Sequence, residues 1–185
     1  IAHSKGGLET IYMIENLAMA EKIASVTTIC TPYRGSSVAN WVNGIPRPLH
    51  SLFVFCADAF YKILGDKSPD LRTALNQLNM RSEFDKEDML RSCGIYWQSY
   101  SSRMNSPISD PVLSISYAIS RHFERDFSDG MVSNKSARFA DYKGDCLEES
   151  ISHNEIVCYL TRPSKKKKVA GFYLELCNEL AGKGF

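Results

Sequence analysis

The sequence lacks any long uninterrupted apolar stretch, any CxxC pair and any marked excess of charge of one sign. A membrane-spanning helix needs about 18 consecutive apolar residues, so no segment is predicted to cross a bilayer. Lysine and arginine number 22 against 21 aspartates and glutamates, which gives a formal net charge of +1. Because no basic face or aromatic-interleaved basic stripe is present, nucleic acid is excluded as a predicted partner.

The six cysteines are widely spaced along the chain: Cys30, Cys56, Cys93, Cys146, Cys158 and Cys177. Most have apolar neighbours in sequence, which favours reduced core thiols over a disulfide framework or a zinc site. That reading favours a reducing compartment. A secreted and a cytoplasmic location both stay open, because a targeting segment upstream of Ile1 would not be visible.

Hydrophobic periodicity divides the chain into alternating helices and strands. Apolar residues at helical spacing follow Gly6-Gly7 and predict a helix that runs to about Lys22. The β-branched run at residues 23–30 predicts a buried parallel strand, and residues 95–103 predict another. This alternation indicates an α/β fold with a mostly parallel sheet, and we expect residues 1–185 to belong to one domain.

Three further helices are predicted. One covers residues 49–64 and is apolar around much of its circumference, and a second covers residues 70–80 with Ser68 as its N-cap. A closing helix is predicted over residues 169–181. The lysine run at 165–168 is expected to form a solvated loop before it, with contact to an anionic membrane as the alternative.

A serine lies in a turn of small residues at positions 2–7, AHSKGG. A small residue two positions before Ser4 and a glycine two positions after it let a strand turn sharply into a helix, which leaves the serine strained and exposed. Amides at the helix N-terminus then favour developing negative charge near its hydroxyl. His3 is expected to point away from the tip of this turn and to support it. An ordinary glycine-containing turn is the alternative.

A serine nucleophile of this kind needs an acid and then a histidine later in the chain, each on a loop after a strand. Asp129 lies in the tight turn Ser128-Asp129-Gly130, and His153 lies in Ser152-His153-Asn154 further on. In such a triad the acid orients the imidazole, which accepts the serine proton. Three competing acids lack the turn glycine: Asp126, Asp141 and Asp145. His50 comes before any suitable acid in the chain, and His122 lies in a helix-like stretch where a structural role is expected.

Four ordered motifs, AHSKGG, ASVTTICTPYRGS, FSDGMVS and ISHNE, resemble those of bacterial triacylglycerol lipases in the α/β-hydrolase superfamily. That family has HSxGG, VTTxxTPHRGS, NDGLVS and NHxD in the same order, with glycine where this chain has Ala2. The resemblance reaches the final helix and is weakest over residues 49–104. It implies an α/β-hydrolase fold of which this chain is the C-terminal portion, starting at the nucleophile turn, with the first strands missing.

The resemblance implies that Ser4 is the nucleophile, Asp129 the acid and His153 the general base. The backbone N–H of Lys5 would be one donor to the oxyanion. The second donor is expected in a loop before Ile1, so the missing N-terminal half of the same domain is a required partner.

The resemblance implies no organic cofactor, but it does imply a structural calcium ion near the histidine loop. The candidate ligands are Asp110 and Glu155, the latter two residues after the histidine where the family has aspartate. Oxygen ligands suit calcium, and the ion would brace the loop. Two solvated surface acids are the alternative.

A lid or cap insertion is expected at about residues 41–80. An apolar helix there would cover the serine and open at a lipid–water interface. Its candidate acyl-facing residues are Leu49, Leu52, Phe53, Phe55, Phe60 and Leu64. Ordinary core packing explains the same residues without a lid.

The expected activity is hydrolysis of acylglycerol esters through an acyl-serine intermediate, with a lipid or other ester as substrate. A short-chain esterase or a phospholipase is the enzymatic alternative. An inactive, truncated hydrolase fragment is the alternative from another class.

Overall fold

One parallel sheet organises the protein, seen in a computed structural model that describes residues 1–63, 65–79 and 92–185. Each strand pairs in parallel with the next along the chain. The strands are β1 (Ala2–His3), β2 (Ser25–Ile29), β3 (Tyr96–Ser101) and β4 (Asp141–Asp145). The predicted α/β class with a mostly parallel sheet is therefore confirmed.

Helices connect the strands and cover the sheet. Within the described ranges they are α1 (Lys5–Asn16), α2 (Ser37–Asn43), α3 (Arg47–Ile63), α4 (Leu71–Gln77), α5 (Ser114–Glu124), α6 (Asn134–Ala137) and α7 (Pro163–Gly182). The first is shorter than predicted, because the backbone at Ala18 turns to a φ of 51° and a separate 3₁₀ turn covers Ala20–Lys22. None of these described helices has the length and apolarity that a bilayer crossing requires.

Two sequence-based details of the helices are wrong. The N-cap of α4 is Asp70, whose carboxylate accepts a hydrogen bond from the amide of Thr73 at 3.0 Å, and Ser68 does not cap it. Aspartate at this position satisfies a first-turn amide and favours the positive end of the helix dipole. The predicted end of that helix, Met80, lies outside the described residues.

The second correction concerns the lysine run, which lies inside α7 and not in a loop. Pro163 begins this helix, where its missing N–H costs nothing. Lys165 pairs with Glu155 and Lys168 pairs with Glu149, each at 2.6 Å. These distant acids offset the repulsion between neighbouring lysines.

The core lies on both faces of the sheet. Val26 and Ile29 of β2 belong to different apolar clusters, because side chains alternate along a strand. Helix α1 contributes Ile11 and Ile14 to the first cluster. The residues that α7 contributes to the second are Val169, Phe172 and Leu176. Helices on both faces are what a parallel sheet requires.

The cysteines are free, but the prediction that most are core thiols is wrong. Cys30 and Cys146 are buried, whereas the other four are exposed: Cys56, Cys93, Cys158 and Cys177. Apolar neighbours in sequence are a poor guide to the burial of Cys56 and Cys177, because adjacent residues of a helix point to different sides.

Candidate active site

The candidate site lies at the carboxyl ends of the parallel strands, where open α/β sheets bind their ligands. His3 of β1 pairs with Ile29 of β2, and Ile29 pairs with Tyr100 of β3. Ser4 and Cys30 are the next residues after the first pair. The register of the sheet therefore brings the serine turn and Cys30 to the same edge.

Ser4 adopts a backbone conformation that side-chain-bearing residues rarely have, with φ of 53° and ψ of −130°. It is the N-cap residue of α1, yet its hydroxyl makes no capping hydrogen bond. The backbone is held by hydrogen bonds from the Ser4 amide to Ile29 at 2.9 Å and from Oγ1 of Thr31 to the Ser4 carbonyl at 2.8 Å. Strain of this kind at a serine that opens a helix is typical of a nucleophile turn.

The amide of Lys5 lies where the sequence predicted it, at the first position of α1. Amides of the first helical turn have no carbonyl partner within the helix, so they are available to an anion. The side chain of Lys5 is engaged in an ion pair with Glu9 and leaves only the backbone donor for this role.

Asp129 and His153 are directly bonded. Oδ2 of Asp129 lies 2.7 Å from Nδ1 of His153, and the amide of His153 donates to the carbonyl of Asp129 at 2.9 Å. Oδ1 of Asp129 accepts hydrogen bonds from the amides of Met131 and Val132 at 2.9 and 2.8 Å. The turn needs Gly130, because its φ is 103° and a Cβ added at this position would lie 2.9 Å from Cβ of Leu113. The acid is therefore fixed from three directions.

Electrostatics keep Asp129 ionised despite its burial. Burial by itself raises the pKa of this carboxyl, but the charge of His153 and the hydrogen bonds from the imidazole and the two amides outweigh it. The net effect lowers the pKa of Asp129 below its usual range. A buried carboxylate that stays charged can hold an imidazole in one tautomer and stabilise its protonated form.

His3 has a closer contact with the site than the sequence indicated. Its ring centroid lies 4.5 Å from that of His153. Burial, and then the charge of His153, lowers the pKa of His3 to about 4, so the ring is neutral near pH 7. Ser4 follows His3 directly in the chain. The structure thus brings the predicted acid and base together beside the residue that precedes the predicted nucleophile.

The two predicted calcium ligands lie on either side of Ser152, next to His153. Oγ of Ser152 donates to Asp110 at 2.6 Å, and the amide of Ser152 donates to Glu155 at 3.0 Å. Both acids are buried, so the alternative of solvated surface acids is wrong.

The donor set does not fit a calcium ion in this arrangement. Calcium takes six to eight oxygen ligands, whereas Oε2 of Glu155 is already paired with the ammonium of Lys165 at 2.6 Å. The cation beside the histidine loop is therefore a side chain of the protein itself. Calcium binding stays an untested prediction, and no step of the chemistry is derived from it.

Four of the predicted acyl-facing residues are exposed on α3: Leu49, Leu52, Phe53 and Phe55. The same helix is anchored by Val54, which packs with Ala39, Val42 and Leu75 in a separate cluster. Core packing therefore does not explain the four exposed side chains. The side chain of Phe60 and all of Leu64 lie outside the described residues.

A cavity of about 630 Å³ lies between α2 and the end of α5. Its apolar lining includes Trp41, Ile45 and Phe123. None of Ser4, Asp129 and His153 lines it, so this cavity is not assigned to the candidate site.

Known proteins resemble this chain both in sequence and in structure. No protein-family profile matches the chain. The chain is 28% identical over 200 aligned positions to triacylglycerol lipase 2 of Saccharomyces cerevisiae. The alignment covers 100% of this chain and 57% of the yeast protein. It thus spans little more than half the length of this relative. The mature lipase BlEst2 of Bacillus licheniformis is similar with a TM-score of 0.48 and 19% identity, over 82% of this chain and 56% of that one.

Proposed function

We propose that this protein is a lipase-like carboxylic ester hydrolase in which Ser4, Asp129 and His153 form a catalytic triad. The observation that carries the proposal is the 2.7 Å contact between His153 and the buried Asp129, at the strand edge where Ser4 has a φ of 53°. The similarity to a yeast triacylglycerol lipase supports the substrate class.

In the proposed reaction Oγ of Ser4 attacks the ester carbonyl carbon while Nε2 of His153 takes the hydroxyl proton. The carbonyl electrons move to oxygen, which accepts a hydrogen bond from the amide of Lys5. The alcohol leaves with the proton from His153, and the acyl group stays on Ser4. Water, deprotonated by the same imidazole, then releases the carboxylic acid. Asp129 stays ionised throughout and holds Nδ1–H.

A lipid substrate is supported by the surface of α3. Leu49, Leu52 and Phe53 follow helical spacing and form one exposed apolar stripe, with Phe55 beside it. Exposed apolar patches of this kind are typical of contact with a protein partner or a lipid surface. We propose that the lid-like insertion at about residues 41–80 brings this stripe to a lipid–water interface.

The proposal is tested by hydrolysis of p-nitrophenyl esters graded from acetate to palmitate. Ser4→Ala is expected to lower kcat by about 10⁶-fold, the loss seen when a serine nucleophile is removed. Ser120→Ala is the matched control, because the Ser120 hydroxyl is buried on α5 without a hydrogen-bond partner. Equal rates for Ser4→Ala and the wild type, both folded, would contradict the triad.

The same assay separates the alternatives. Preference for acetate over palmitate would favour a short-chain esterase, and cleavage of phospholipid vesicles would favour a phospholipase. Activity that appears only when residues upstream of Ile1 are supplied would favour the incomplete-domain alternative.

A further inference from the structure

Ester hydrolysis leaves part of one side-chain cluster unused. His3, Cys30 and His153 each offer one ligand atom, and these three atoms lie within 4.8 Å of one another. Two imidazoles and a thiolate are ligands that Zn²⁺ prefers, and three protein ligands with a fourth open position form a common zinc arrangement. We propose that this cluster binds a thiophilic divalent cation through Nε2 of His3, Nε2 of His153 and Sγ of Cys30.

Both imidazoles have the correct nitrogen free. Nδ1 of His153 is bonded to Asp129 at 2.7 Å, which leaves the lone pair on Nε2. Nε2 of His3 is buried and has no hydrogen-bond partner, so this nitrogen is also available to a cation. Metal-bound histidines are often oriented as His153 is, with the second nitrogen held by a carboxylate. A metal ion would also satisfy the unpaired Nε2 of His3.

Cys30 is placed to complete the site. Its side chain is fully buried directly after β2, where its amide donates to the carbonyl of Tyr100 at 2.9 Å. Sγ of Cys30 lies 3.2 Å from Oγ of Ser102. When the metal binds, the thiol releases its proton to solvent and the hydroxyl of Ser102 donates to the thiolate.

Such a metal would be an inhibitor, a consequence that rests on the proposed function. Nε2 of His153 is the atom that accepts the proton of Ser4, and a coordinated nitrogen has no lone pair for that proton. Occupancy of the site and ester hydrolysis would therefore exclude each other.

The test uses Co²⁺ and Zn²⁺ ions added to the protein. Co²⁺ is expected to give a thiolate-to-metal charge-transfer band at one ion per chain, because only Cys30 supplies sulfur to the cluster. Cys30→Ser should abolish that band. Cys30→Ser and His3→Gln should each weaken Zn²⁺ binding in calorimetry by about 10-fold or more, since even outer partners of a metal site are worth that much.

Two variants serve as matched controls. Cys146→Ser removes the other buried cysteine, and His50→Gln removes the other histidine whose buried Nε2 has no partner. Both should keep the wild-type band and affinity. A charge-transfer band that persists in Cys30→Ser, or a wild type that binds no Co²⁺, would overturn the proposal. If the ion binds as expected while hydrolysis continues at saturation, the metal site stands and the role of His153 as general base is contradicted.

Discussion

At the scale of single residues, the serine turn depends on a close approach between Gly7 and Thr31. A Cβ at Gly7 would lie 2.2 Å from Oγ1 of Thr31, whereas a Cβ at Gly6 would meet only that of Ala2, at 3.8 Å. Oγ1 of Thr31 is the donor that holds the Ser4 carbonyl. The motif drew attention to Gly6, but the steric requirement lies one residue later.

Gly7→Ala is therefore expected to destabilise the protein by about 1–3 kcal/mol, the usual cost of forcing extra atoms into a packed site. It should also lower kcat, because Thr31 must move away from the Ser4 carbonyl. Gly6→Ala is the control and should be neutral or stabilising, because alanine favours a helix over glycine by about 1 kcal/mol. Thermal unfolding and kcat of both variants check this, and a Tm for Gly7→Ala at or above that of Gly6→Ala would refute it.

At the scale of elements, α7 is tied to the histidine loop by a chain of polar contacts. Lys165 in the first turn of α7 pairs with Glu155, which accepts from the amide of Ser152, whose hydroxyl donates to Asp110. These contacts join α7, the histidine loop and the segment around Asp110. The ammonium of Lys165 therefore supplies the positive charge that the sequence resemblance assigned to calcium.

Lys165→Met should destabilise the protein by about 2 kcal/mol, because it leaves the carboxylate of Glu155 buried without its cation. A fully buried pair loses more, but Lys165 is 21% exposed. Lys167→Met is the matched control, since Lys167 is exposed on the same helix. Denaturant unfolding measures both variants.

The same pair predicts the response to calcium. Chelation with EDTA and addition of Ca²⁺ should leave the Tm and kcat of the wild type unchanged. A wild-type Tm that rises with Ca²⁺ would show that Glu155 exchanges Lys165 for the ion and that the resemblance was right about calcium.

Helix α7 also shows where local sequence reasoning fails. Four consecutive lysines predict a loop, because like charges repel on a helix. The acids that compensate them, Glu149 and Glu155, belong to the preceding loop and cannot be assigned as partners from sequence alone. The strand β2 was predictable, in contrast, because its β-branched run is apolar enough to signal a buried strand, and β3 was predictable from its aromatic residues.

At the scale of the whole molecule, the order of the motifs along the chain predicted more about the candidate site than any single motif did. The motifs around Asp129 and His153 indicated a paired acid and base, and the structure has that pair at 2.7 Å. The contacts of His3 and Cys30 with the site were not predictable, because they depend on the register between β1 and β2. The sequence also could not decide whether the apolar residues of α3 form a lid surface or pack in the core, because the same residue types are used in both.

The exposed stripe on α3 gives a prediction about how the molecule meets its substrate. The double change Leu52→Ser and Phe55→Ser should lower hydrolysis of emulsified long-chain esters by about 10-fold, because each apolar side chain contributes through the area it buries at the interface. Hydrolysis of a dissolved acetate ester should not change.

Ile115→Ser is the matched control, since Ile115 is exposed on α5 rather than on α3. It should leave both rates as they are. Equal losses on emulsified and dissolved esters would place the effect in the active site or in folding and would contradict an interfacial role for α3.

The parallel sheet has a consequence for the protein as it is synthesised. Thr28 of β2 bonds to Gln98 of β3, 70 positions further along the chain, so the centre of the sheet has no partner while the intervening residues are being made. Pairings of this range slow folding. The serine turn is synthesised long before the loop that carries His153. A nascent chain therefore contains the Ser4 turn before it contains His153, and the proposed triad can assemble only once translation of this region is nearly finished.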